Sequence, residues 1–171
     1  VREKVFVHNN AQIMERKMWQ FILGSTGFIL YFIYDINSVR MKNAVLQKFF
    51  AAGSILVVVS LIAELYAAWG SCHRKIGTMT GFGLGGFLFF CLLIYTLFFA
   101  LPFEETYCEE NKLRAAYTEG MYGLCRHPGV LWFAGAYLCM WGMVGGWKHG
   151  IYFLLMIFWN YLYIIFQDLW T

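Results

Sequence analysis

Five apolar runs divide this chain, and they constrain its fold more than any other feature. They cover about 18–36 ("MWQFILGSTGFILYFIYDI"), 49–70, 79–103, 129–147 and 150–167. Each reaches or approaches the roughly 20 residues that a helix needs to cross a bilayer. Hydrocarbon supplies no partner for backbone N–H and C=O groups, so such runs satisfy themselves as helices. Composition agrees. The 171 residues are 60% apolar, 20% aromatic and 13% charged, against about a quarter charged in soluble proteins. A chain this size cannot hide that much apolar surface inside itself. The expected fold class is all-α: a polytopic membrane protein with about five transmembrane helices. The last two runs, separated only by Lys148 and His149, predict a C-terminal helical hairpin. The whole chain, 1–171, reads as one membrane domain, with three spans in 1–103 and a polar loop plus the hairpin in 104–171.

Smaller signals refine this. The chain begins at Val1, as a trimmed or partial sequence would, and "VREKVFVHNN" has no signal-peptide apolar core. The first run therefore reads as a retained span, and the basic 1–17 segment as an interfacial helix. Gly81-x-x-x-Gly85 and Gly142-x-x-x-Gly146 match the small-residue spacing that lets membrane helices approach closely. Trp19, Trp69, Trp147 and Trp170 fall near span ends, as an aromatic belt would place them. The five cysteines lack a C-x-x-C pair, which argues against a disulfide framework or a metal site. A net charge of +3, widely dispersed, gives no nucleic-acid footprint. An odd number of spans puts the termini on opposite sides, and seven basic residues against six leave the orientation open. Glu64, about two turns before the end of the second run, is either a functional carboxylate or an interfacial one reaching water or a neighbour.

The longest polar stretch, 104–128, is "EETYCEENKLRAAYTEGMYGLCRHP". A loop of that length in a compact protein usually carries function or is disordered. It ends in Gly120-x-Tyr122-x-x-x-Arg126-His127-Pro128, immediately before a span. Pro128 suits a first helical turn, where its missing N–H costs nothing. A helix N-terminus there can hold an anion. Two equal arms of about 27–28 Å would return Gln167-Asp168 to the depth of Arg126-His127. An interfacial anchor explains Arg126 and Pro128, but not Gly120, Tyr122 and the returning Gln-Asp.

This spacing resembles the signature of the isoprenylcysteine carboxyl methyltransferase and phospholipid methyltransferase superfamily, over roughly residues 115–168. Two differences are visible: Pro128-Gly129-Val130-Leu131-Trp132 stands where Pro-x-Tyr-x-Gly is common, and Gln167-Asp168 where the family has Glu-Glu. The resemblance implies an integral membrane methyltransferase that uses S-adenosylmethionine. It implies cofactor binding by Gly120, Tyr122, Leu124, Arg126, His127, Pro128, Gln167 and Asp168, with His127 and Arg126 catalytic. The cofactor would come from the cytosol and a lipophilic acceptor from the bilayer. An amine or thiol acceptor needs a base, for which His127 and Glu64 are the candidates; an anionic acceptor needs none. Tyr122 and Trp132 offer aromatic faces for a sulfonium. Two other readings stand beside this one: a sterol-reductase-like enzyme using NADPH, and a non-catalytic membrane assembly or binding subunit.

Overall fold

The computed structural model describes residues 2–70, 75–99 and 127–170, with side chains for 19–70, 75–96, 99 and 127–169. These residues form helices and no strand: α1 (Arg2–Ile36), a π-helical turn (Asn37–Met41), α2 (Ala44–Gln47), α3 (Phe49–Trp69), α4 (Ile76–Phe98), α5 (Pro128–Val144) and α6 (Trp147–Trp170). Four stretches are long and apolar enough to cross a membrane: Trp19–Met41, Ala44–Trp69, Ile76–Thr96 and Trp147–Leu169. Helix α5 is a shorter apolar helix of 17 residues. The distribution of polarity is that of a membrane protein. Ile22, Ile55, Ile62, Phe87 and Ile151 are exposed, while Gln20, Asp35, Ser60, Glu64 and Thr96 are buried. Against lipid an outward isoleucine costs nothing, whereas a polar side chain must find partners inside. The chain is an all-α, multi-pass membrane protein.

It divides into two compact units, Val1–Cys72 with Gly146–Thr171, and His73–Gly145. The first is built from α1, α3 and α6. Ring pairs Phe21–Tyr152, Phe28–Trp159 and Phe32–Tyr163 join α1 to α6 at a constant offset in sequence, so the two helices run parallel. Helix α3 runs antiparallel to α1. Its Ser60 meets Gln20 near one end of the pair, and its Phe50 meets Tyr31 and Tyr34 near the other. Midway, a Cβ on Gly27 would lie 2.8 Å from the Gly53 carbonyl oxygen, and one on Gly53 would lie 2.7 Å from that of Gly27. The two backbones touch there, and only glycine permits it. Phe28, Tyr152, Phe153 and Met156, all fully buried, fill the core of this unit.

The connection between α1 and α3 is locked by one side chain. Asn37, fully buried, donates from Nδ2 to the Asn43 carbonyl at 3.0 Å and accepts the Asn43 N–H on Oδ1 at 2.9 Å. Asn43 in turn caps α2, accepting the Val45 N–H on its own Oδ1 at 2.8 Å. Between them the chain widens into the π turn and reverses at Lys42, whose φ of 48° is left-handed. We expect Asn37→Ala to lower stability by about 1–3 kcal/mol, since both of its hydrogen bonds to the Asn43 backbone are lost. Reversible unfolding in mixed micelles measures this; a change below about 0.5 kcal/mol would mean that the turn holds without its clasp.

The second unit pairs α4 with α5. Rings of one helix sit on glycines of the other: a Cβ at Gly135 would lie 2.8 Å from the Phe89 ring, and one at Gly142 would lie 2.6 Å from the Phe82 ring. Gly86 receives Met140 in the same way, at 2.9 Å. Two sequence expectations are corrected here. Gly81 meets nothing within 4 Å, so close packing falls to Gly85 and Gly86. Gly146 is not part of a packing face; with Gly145 it forms the break before α6, at φ of 77° and 71°. Such φ values favour glycine. The break therefore falls at Gly145-Gly146 rather than at Lys148-His149, and the latter pair lies in the first turn of α6. The amino-terminal segment 1–17, read as interfacial, is helical from Arg2 and runs unbroken into the first span.

Candidate functional site

His127 is the N-cap of α5, at φ −130° and ψ 68°, and Pro128 is its first helical residue. Pro128 is fully buried. The His127 carbonyl accepts the Val130 N–H at 3.2 Å, but its imidazole makes no capping bond to the helix. The first turn of α5 contains no acidic residue. Its N–H groups and the positive end of its dipole are thus not neutralised by the helix's own side chains. One turn further on, Trp132 stacks on Phe89 at 6.1 Å with 28° between planes. The Trp132 indole Nε1 is buried with no hydrogen-bond partner. A buried orphan donor is uncommon. Here it stands one turn from a helix N-terminus suited to an anion. A group bearing a carboxylate, acceptor atoms and a positive charge fits these residues: the backbone N–H groups for the carboxylate, the indole N–H for an acceptor, and the Trp132 face for the cation.

Gln167 and Asp168 lie in the last turns of α6, within the other unit. Successive residues on a helix diverge by about 100°, and these two do. Asp168 is exposed, whereas Gln167 turns inward and donates from Nε2 to the Tyr163 hydroxyl at 2.9 Å. Tyr163 and Gln167 both hydrogen-bond to the buried carboxyl of Asp35 on α1. Sequence reading missed Asp35. The signal was present, since an aspartate near the end of the first run is an intramembrane acid like Glu64 and needs a partner. Gly120, Tyr122, Leu124 and Arg126 lie outside the described residues.

Glu64 has a partner. Its Oε1 lies 2.6 Å from His149 Nδ1, with the two side chains 5% and 12% exposed. A second link lies one turn away, where Ser60 donates to the Gln20 carbonyl at 2.7 Å and meets the Tyr152 hydroxyl at 2.6 Å. Ser60 has one proton and a carbonyl can only accept, so Tyr152 is the donor to Ser60. This polar layer ties α1, α3 and α6 at one end of the unit. Asp35, Tyr163 and Gln167 occupy the other end, since nineteen residues of α6 separate His149 from Asp168, about 28 Å along the axis. Glu64 therefore cannot act as base in a site completed by Gln167 and Asp168.

No protein-family model, no curated protein and no solved structure matches this chain.

Proposed function

We propose that this protein is an integral membrane methyltransferase that uses S-adenosylmethionine and acts on a lipophilic acceptor at the cytosolic face. One observation carries the reading. The Gly120-x-Tyr122-x-x-x-Arg126-His127-Pro128 signature ends where α5 begins, with His127 as N-cap, Pro128 as first residue and an unpaired indole N–H one turn on. When bound, S-adenosylmethionine supplies an activated methyl group on a sulfonium. The first-turn N–H groups of α5 would hold its carboxylate, and the Trp132 ring would offer a face to the cation. His127, at the mouth of the helix, receives the acceptor's proton where the acceptor is an amine or thiol. With Glu64 at the far end of α6, His127 is the remaining candidate base. The resemblance alone assigns Asp168, exposed near the end of α6, to the donor's ammonium group. Holding methyl and nucleophile in line is the main contribution asked of the protein.

The test is binding. S-adenosylmethionine or its demethylated product should raise the melting temperature of the detergent-solubilised protein, because a ligand that binds the folded state stabilises it. His127→Ala should remove most of the shift with helical content unchanged. Asp168→Asn should weaken binding about 10- to 100-fold, the value of one charge-assisted hydrogen bond, and Gln167→Glu should be tolerated or bind more tightly. A shift with NADPH and none with S-adenosylmethionine would replace this reading with a reductase. No shift with either would favour the non-catalytic subunit.

A further inference from the structure

The turn between the first two spans gathers charge of one sign. Residues 36–63 hold three basic side chains, Arg40, Lys42 and Lys48, and no acid. All three are exposed. So are Val39, Met41 and Val45, which alternate with them. The clasp between Asn37 and Asn43 accounts for the display. Its two hydrogen bonds, at 3.0 and 2.9 Å, close the loop at its base and leave residues 38–42 as an exposed tip. Lys42 stands there in a left-handed conformation, at φ 48°. That backbone region is unfavourable for a lysine, so the clasp holds the tip in a shape it would not otherwise keep. Beyond the clasp, Val45 and Lys48 lie three residues apart, on one side of the next helical turn.

The tip sits where one membrane-crossing stretch ends, at Met41, and the next begins, at Ala44. Water, headgroups and acyl chains meet at that depth. Exposed valine and methionine gain nothing from water but suit the upper acyl region, while lysine and arginine stems reach outward to phosphate. The charge balance of this end favours an anion. Asp35 is buried, and Gln167, which bonds to it, brings the end of α6 alongside. There Asp168 is the exposed acid among the described side chains. Three cations against one carboxylate leave an excess of two. The attraction comes from this summed charge, so it does not require any one side chain to lack a neighbour within the protein. A soluble anion would match the cations but leave the three apolar side chains in water; a phospholipid supplies phosphate and acyl chain together. We propose that the turn between α1 and α3, through Arg40, Lys42 and Lys48 with Val39, Met41 and Val45, is a docking surface for anionic phospholipid.

The experiment titrates the full-length protein, in nonionic micelles, with short-chain phosphatidylglycerol and phosphatidylcholine of identical acyl chains, read by calorimetry. Phosphatidylglycerol should bind about tenfold more tightly or better. Each of Arg40→Gln, Lys42→Gln and Lys48→Gln should reduce that preference about fivefold or less, the typical value of one basic residue near an anionic surface. The triple variant should bring the two lipids within about twofold. Lys48→Glu, outside the clasp, should lower the preference more than Lys48→Gln, which keeps the test open should changes at the tip disturb the turn. Asp168→Asn should strengthen the preference. Lys148→Gln, exposed at the other end of α6, should leave it unchanged. Raising ionic strength from about 0.05 to 0.5 M shortens the screening length about threefold and should remove most of the effect. Equal affinity for the two lipids overturns the proposal. So does a preference that the triple variant retains, or one that Lys148→Gln abolishes. Competition by inorganic phosphate at the same concentration as the lipid would reassign the turn to soluble anions and also overturn it.

Discussion

His149→Ala should lower the stability of the protein by about 3 kcal/mol or more, because a buried carboxyl group loses its hydrogen-bond partner. The reason is the partner left behind. Glu64 is 4% exposed, and its contact to His149 at 2.6 Å is its one hydrogen bond among the described side chains. Without the imidazole a buried carboxyl is left with no hydrogen-bond partner among the described side chains. Glu64→Gln in the parent should cost less, because an amide still accepts from Nδ1 and carries no charge to desolvate. Combining His149→Ala with Glu64→Leu should recover much of the loss, as an apolar pair needs no partner. A double-mutant cycle, read by reversible unfolding in mixed micelles, measures the coupling. Additive single losses would show that the two groups do not depend on each other.

Gly53→Leu should be nearly as damaging, at about 3 kcal/mol or more, toward the upper end of overpacking effects. The obstacle is the Gly27 carbonyl oxygen, 2.7 Å from where a Cβ would stand. A flexible side chain could swing aside, but backbone cannot, so α1 and α3 must part. Separation would also pull Ser60 away from the Gln20 carbonyl and Tyr31 away from Ser54, now bonded at 2.7 and 3.0 Å. Gly81→Ala supplies the contrast. Nothing lies within 4 Å of its Cβ position, so alanine there should be neutral or stabilise by about 0.5–1 kcal/mol through helix propensity alone. Equal melting temperatures for Gly53→Leu and the parent would mean that the two helices do not approach as described.

Some of this was determined by sequence alone. Lipid imposes a length and a polarity that local composition either meets or fails, so helix existence, the membrane class and the span boundaries within a few residues were legible in runs such as 49–70, seen as Phe49–Trp69. The Arg126-His127-Pro128 stretch marked the start of α5 because proline at a first turn is a local rule. The break before α6 was misjudged because charge suggested Lys148-His149. Backbone freedom decided it, and two consecutive glycines have more of that than any other pair. Tertiary structure decided what spacing cannot express. Small-residue patterns name candidates for close approach, but only the facing helix shows that Gly27 and Gly53 touch while Gly81 meets nothing. Glu64 and Asp35 were each an intramembrane acid in want of a partner. Their partners, His149 on one side and Tyr163 with Gln167 on the other, are supplied by α6, about 85 and 130 residues away. That pairing depends on α6 lying parallel to α1, a fact of packing among three helices that no local stretch encodes.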